Sequence, residues 1–171
     1  MDNNKIRSEL MVWLKTFVEK PNPALGNWSP CPYARKSRIN NGIQIEFGDA
    51  RYLESNVKDN LFYLDDPDEF DIIKDVLIIC FDHNDISLED LNDLVNGLNE
   101  DLMPKDYVIL EDHPDATDDV VNGVRMNFGK CGLLLVQRLS KLNEASEQLK
   151  AKGYYDTWDQ DALNYVVNWR N

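Results

Sequence analysis

A chain of 171 residues, 43% hydrophobic and 29% charged, is long enough for one globular domain with its own core. Its formal net charge of -13 argues against general binding to nucleic acid or anionic membranes, which need basic surface to neutralise phosphate. No apolar run approaches the ~20 residues that span a bilayer, and the start Met1-Asp2-Asn3-Asn4 does not read as a signal peptide. Three cysteines without a CxxC pair give no disulfide framework, so the expectation is one α/β domain over 1–171, cytoplasmic, with reduced thiols.

Ile6, Leu10, Trp13, Leu14 and Phe17 recur at helical spacing, which predicts an amphipathic helix over 3–19, ended by Pro21 and Pro23. A loop over 20–31 leads towards a strand at 43–47 (IQIEF), where apolar and polar residues alternate. Residues 49–74 are less legible and read as a short helix around 51–62 followed by the acidic turn DDPDEFD. DVLIICF at 75–81 is a continuous apolar run between polar residues, the pattern of a strand buried on both faces. Ser87 with Asp90 three residues later forms a capping box, opening a helix with Leu88, Leu91, Val95, Leu98 and Leu102 on one face. After Pro104, DYVILED at 106–112 reads as the next strand, and the β-α-β connection makes the two strands parallel.

Further on, GVRMNF (123–128) reads as a fourth strand. A long helix is predicted over 131–151, with Leu135, Leu139, Leu142, Ser146 and Leu149 in register and Gly153 as its stop. Thr157 with Gln160 would cap a last helix carrying Leu163, Val166 and Val167. The fold class implied is a single-domain α/β sandwich. A partly parallel sheet of three to five strands would be packed by N-terminal, central and C-terminal helices.

Parallel strands at 75–81 and 106–112 put their carboxyl ends on one sheet edge, where ligands of open α/β sheets tend to bind. The segments leaving that edge, DHND and EDHPD, hold both histidines of the chain, His83 and His113, each beside carboxylates. Imidazole with carboxylate suits a divalent iron, manganese or zinc ion, for which His83 and His113 are the candidate ligands. His113 followed by Pro114 also has a structural reading, since proline forces its predecessor into an extended conformation and ends the strand.

In NFGKCG (127–132), Gly129, Gly132 and Lys130 at the mouth of the predicted helix would favour an anion. The spacing of a phosphate-binding loop fails, because Val124 stands where its first glycine belongs and Cys131 replaces its Ser or Thr. WSPCPYARKS (28–37) looks like the Cys-Pro-Tyr-Cys site of a glutaredoxin with Ala34 in place of the second cysteine. The context differs: a proline-rich loop, not a strand, precedes Cys31. Arg35, Lys36 and Arg38 follow at once, and cations beside a thiol favour the thiolate. Cys80, inside an apolar strand, reads as core.

The order of these pieces resembles a small uncharacterised bacterial family, a domain of unknown function with Cys-Pro-Phe-Ala and His-Pro-Asp motifs and an asparagine soon after. The matching residues are Cys31-Pro32-Tyr33-Ala34, His113-Pro114-Asp115 and Asn127, over roughly 10–150. Tyr33 replaces phenylalanine, and Gly129-Lys130-Cys131 stands where that family has a serine-proline opening. The resemblance implies that Cys31, His113, Asp115 and Asn127 converge on one site.

The function expected is a small enzyme at the carboxyl edge of the sheet. His113 would be general base or metal ligand, Asp115 its orienting carboxylate or a second ligand, Asn127 a positioner and Cys31 a ligand or nucleophile. Arg35, Lys36 and Lys130 would attract a small anionic substrate. The alternative is a non-catalytic module that binds a protein partner through its acidic surface. Its C-terminal aromatics (Tyr154, Tyr155, Trp158, Tyr165, Trp169), at helix spacing, read as core packing or as a second such face.

Overall fold

The computed structural model describes residues 1–68, 71–117 and 120–170. The first helix, α1 (Asn3–Trp13), starts where Asp2 accepts the N–H groups of Asn4 (3.1 Å) and Lys5 (3.2 Å). It runs on as a wider π-type turn over Leu14–Val18, which keeps Ile6, Leu10, Leu14 and Val18 buried on one side. A short helix α2 (Ala34–Ile39) precedes strand β1 (Ile43–Phe47), and helix α3 (Leu53–Asn60) lies between two tighter turns. The acidic turn expected after it falls partly outside the described residues.

Strand β2 (Val76–Phe81) and helix α4 (Leu88–Leu102) form as the pattern requires. Ser87 caps α4 by accepting the Asp90 N–H at 3.1 Å, an arrangement that stabilises a helix start by about 1 kcal/mol. Strand β3 (Tyr107–Asp112) follows. Then come a tiny hairpin of β4 (Val120–Val121) and β5 (Val124–Arg125), strand β6 (Gly132–Arg138), helix α5 (Leu139–Ala151) and helix α6 (Gln160–Val166).

The sheet order is β1-β2-β6-β3, with β1 parallel to β2 and β6 antiparallel to both of its neighbours. Strands β2 and β3 are therefore parallel, as expected, but β6 lies between them. That strand is the main correction to the sequence reading. Residues 132–138 are not the start of a helix; they are a central strand buried against neighbours on both sides, and α5 begins only at Leu139.

Two smaller corrections follow. The strand expected at 123–128 is reduced to Val124–Arg125, because Asn122 (φ 51) and Gly123 (φ 79) turn the chain into a two-residue hairpin. The last helix is capped by Asp159, which accepts the Ala162 N–H at 2.7 Å, and not by Thr157.

Helices cover both faces of the sheet. On one face Leu77, Ile79, Phe81, Ile109, Leu134 and Val136 pack against α3 and α4. On the other, Ile45, Ile78, Cys80 and Leu133 meet α1. A third cluster of Leu25, Val121, Leu149, Tyr154 and Trp158 ties the C-terminal segment to the hairpin and the N-terminal loop. Gly132 is fixed by packing: it pairs with Phe81, and a Cβ there would lie 2.2 Å from the Phe81 ring. No helix among the described residues is long and apolar enough to cross a membrane.

Candidate functional site

The carboxyl ends of β2 and β3 share one edge, as their common antiparallel partner demands. Asp82 leaves β2 and opens a tight turn over His83–Asp85, accepting the Asn84 N–H at 3.2 Å. His113 leaves β3 and is only 1% exposed. Its Nε2 lies 3.2 Å from the carbonyls of both His83 and Ile86, and its Nδ1 accepts the Asp115 N–H at 3.1 Å. An Nδ1 that accepts carries no proton, so Nε2 is the N–H and donates to the two carbonyls. The ring is a pin between the two edge loops, and neither nitrogen offers a lone pair to a ligand.

The His83 ring stands at 80° to it, with centroids 5.8 Å apart. The Asp115 carboxylate, 77% exposed on its side chain, is 3.8 Å from Nδ1, and it is the backbone of Asp115 that holds the ring. Among the described residues no group of three or more His, Cys, Asp or Glu could hold a metal ion.

Asn127 is joined to the same loop. Its Nδ2 donates to the carbonyls of His113 and Ala116, both at 3.1 Å, and its Oδ1 accepts from Arg125 Nε at 2.6 Å. Arg125 also donates to the Pro114 carbonyl at 2.6 Å, and the Phe128 N–H is accepted by buried Asp112 at 2.8 Å. His113, Asp115 and Asn127 are thus brought together, through backbone contacts.

Cys31 belongs to another neighbourhood. Its N–H donates to the Val18 carbonyl at 3.1 Å and its carbonyl accepts from Ala34 at 3.2 Å, with no strand before it. The residue presents surface, but the chain around the thiol desolvates it and pushes its pKa up. Backbone groups of Tyr33 and Ala34 oppose this in part, and the charge that reaches the thiol is that of Glu19. Arg38 pairs with Glu19, while Arg35 and Lys36 are exposed on α2. Lys130 is exposed in the turn before β6, with no helix N-terminus beside it.

The concave part of the molecule lies next to this edge. A cavity of about 540 Å³ is lined by Leu110 and Leu135, paired across β3 and β6 on the face that α1 also covers, and by Val95, Asn96 and Asn99 of α4, which packs on the other face. Trp13 and Phe17 of the first helix line it, with Trp158, Tyr165 and Trp169 from the C-terminal segment. Cys31 and Asn127 line it too, so these two predicted residues do share a space. Tyr165 and Trp169, 58% and 40% exposed, flank it on the solvent side.

A smaller cavity of about 250 Å³ is lined by Glu111 and Tyr165, which also line the larger, and by His113 and Asp115. Neither is lined by a lysine or an arginine among the described residues. Sequence reasoning weighed the C-terminal aromatics only as core or as a protein-binding face. The signal that could have placed them here is the i, i+4 spacing of Tyr165 and Trp169.

Comparison with protein-family models, with curated proteins and with solved structures gave no match to this chain.

Proposed function

We propose that this protein binds a small, largely apolar molecule in the cavity between the sheet and its C-terminal aromatic segment. The observation that carries the reading is one space of about 540 Å³ lined by five aromatic side chains and two leucines. Pockets that take small molecules run from roughly 300 to 1,000 Å³ and combine apolar walls with a few placed polar groups. Here the polar side chains of the lining are Asn96, Asn99, Glu111, Asp112, Asn127 and Asn164, of which Asn99 and Asn127 are held by backbone and side-chain hydrogen bonds within the fold.

An acid–base enzyme centred on His113 has less support. Both ring nitrogens are engaged by backbone groups, and Arg35, Lys36 and Lys130 lie outside both cavities. The cytoplasmic setting is supported by three free cysteines.

Three of the four tryptophans, Trp13, Trp158 and Trp169, line the cavity, so intrinsic fluorescence reports its occupancy. Titration with uncharged aliphatic and aryl alcohols should give a saturable spectral shift. It should be lost when the space is filled by Leu110→Phe with Leu135→Phe. No saturable change with any apolar probe would overturn the proposal.

A further inference from the structure

We infer that the ligand is a neutral carbonyl compound, a ketone, ester or quinone on a flat apolar body, whose oxygen accepts N–H groups of the C-terminal segment. The inference rests on the cavity reading above and adds the polar end of the occupant.

The first observation is which polar groups of the larger cavity are already spent. Glu111, Asp112 and Tyr165 are engaged within the chain. Asn127 uses both ends of its amide, on the His113 and Ala116 carbonyls and on Arg125. Asn99 is 6% exposed; it gives one N–H to the Ile109 carbonyl and accepts the Ile109 N–H, so one further N–H of its amide remains.

The second observation is what is left over. Trp158 is 9% exposed and lines the cavity, and its indole N–H is buried with no hydrogen-bond partner among the described residues. Asn164, on α6, has its Oδ1 taken by Gln160 Nε2 at 2.9 Å and by Asn168 Nδ2 at 2.8 Å, which leaves its own N–H groups over. Trp13 and Trp169 add two more indoles, and an indole N–H only donates. Asn96, exposed on α4, offers both a donor and an acceptor. The surplus is N–H, so the matching ligand brings acceptors and few donors. A buried donor without an acceptor is costly, and a ligand oxygen relieves that cost.

The third observation concerns charge. No lysine or arginine of the described residues lines the cavity, so a carboxylate or phosphate would lose its water with no cation to answer it. A carbonyl oxygen accepts without a charge or a proton of its own. The five aromatic side chains suit a flat ring stacked or set edge-on beside them.

The test compares three probes of one shape: acetophenone, its isostere α-methylstyrene, which has CH₂ in place of the oxygen, and 1-phenylethanol. Binding to the full chain is followed by calorimetry and by NMR of the ¹⁵N-labelled protein. Relative to its water–octanol partition, acetophenone should bind about fivefold tighter than α-methylstyrene, the scale of one net hydrogen bond. The alcohol, whose own O–H asks for an acceptor, should fall between them. Indole or side-chain amide N–H signals should move downfield with acetophenone beyond their shift with α-methylstyrene. In Trp158→Phe with Asn164→Leu the affinity ratio of the two should fall towards one. Asn164→Leu alone, at an exposed side chain, should still lower the ratio if the Trp158 substitution disturbs packing.

A ratio near one in the native chain would sink the carbonyl inference and leave the apolar cavity standing. So would a ratio that persists in the double variant, tighter binding of the alcohol than of the ketone, or N–H signals that respond alike to both isosteres. Binding of none of the three would overturn both readings.

Discussion

Asn99 on α4 holds Ile109 on β3 through both of its backbone groups: its Nδ2 donates to the carbonyl and its Oδ1 accepts the N–H, each at 2.9 Å. Strand β3 is the outer strand beside β6, so these groups face away from the sheet. The side-chain amide takes the place of the missing neighbour strand. Asn99→Leu should leave a buried donor and acceptor unpaired and cost about 2–4 kcal/mol. Urea unfolding should show a lowered midpoint at unchanged slope. Light scattering should show more self-association through the uncovered edge.

His113 is a second pin of this kind. Replacing it with Phe keeps the bulk but leaves the His83 and Ile86 carbonyls and the Asp115 N–H without the ring nitrogens. The expected loss is about 2–4 kcal/mol, read as a fall in melting temperature. Zinc, iron or manganese should not rescue it. A metal that raised the melting temperature of the native chain and not of His113→Gln would show that the imidazole serves as a ligand instead.

What the sequence made legible follows from where each residue's signal is stored. The helix at 3–18, the strands at 43–47, 76–81 and 107–112, and the Ser87 cap are written in local periodicity and capping chemistry. Residues 132–136, GLLLV, are a continuous apolar run, which suits a central strand and a buried helix equally well. Leu135, Leu139, Leu142 and Leu149 happen to continue at helical spacing, and Arg138 before α5 supplies no capping side chain to mark the change. Missing β6 also misplaced Lys130, whose anion role needed a helix behind it. Both histidines were rightly put at one edge, because the parallel relation of β2 and β3 survives the inserted strand. The cavity was not legible: its walls come from α1, α4 and the C-terminal segment, which meet only through tertiary packing.

Arg170 is 4% exposed and donates from Nη2 to Ser146 Oγ at 3.1 Å, while its Nε and Nη1 are buried with no hydrogen-bond partner among the described residues. Burial lowers its pKa, opposed only in part by Tyr155, the sign of a guanidinium held away from water. A buried charge so poorly answered contributes little, so Arg170→Met should be neutral or stabilising by about 1–2 kcal/mol. Ser146→Ala, which removes the Ser146 hydroxyl and keeps the charge, should destabilise. Thermal unfolding of the two variants checks the opposite signs, and a clear loss in Arg170→Met would refute the reading.

Glu19 and Arg38 join the end of the first helix to α2 by two hydrogen bonds, of 2.5 and 2.8 Å. The Arg38 guanidinium holds the Glu19 carboxyl below the usual carboxylate range, against the opposing effect of burial. In the unfolded chain Glu19 titrates near the ordinary value of about 4.3. A carboxyl depressed in the folded state stabilises fully above that value and loses the contribution as pH falls through the folded pKa. Arg38→Met removes the depression, so its destabilisation should be greatest near neutral pH and shrink steadily below about pH 4. Denaturation midpoints of the native chain and the variant, taken across this range, should converge in acid. Parallel curves would mean that Arg38 acts through packing alone.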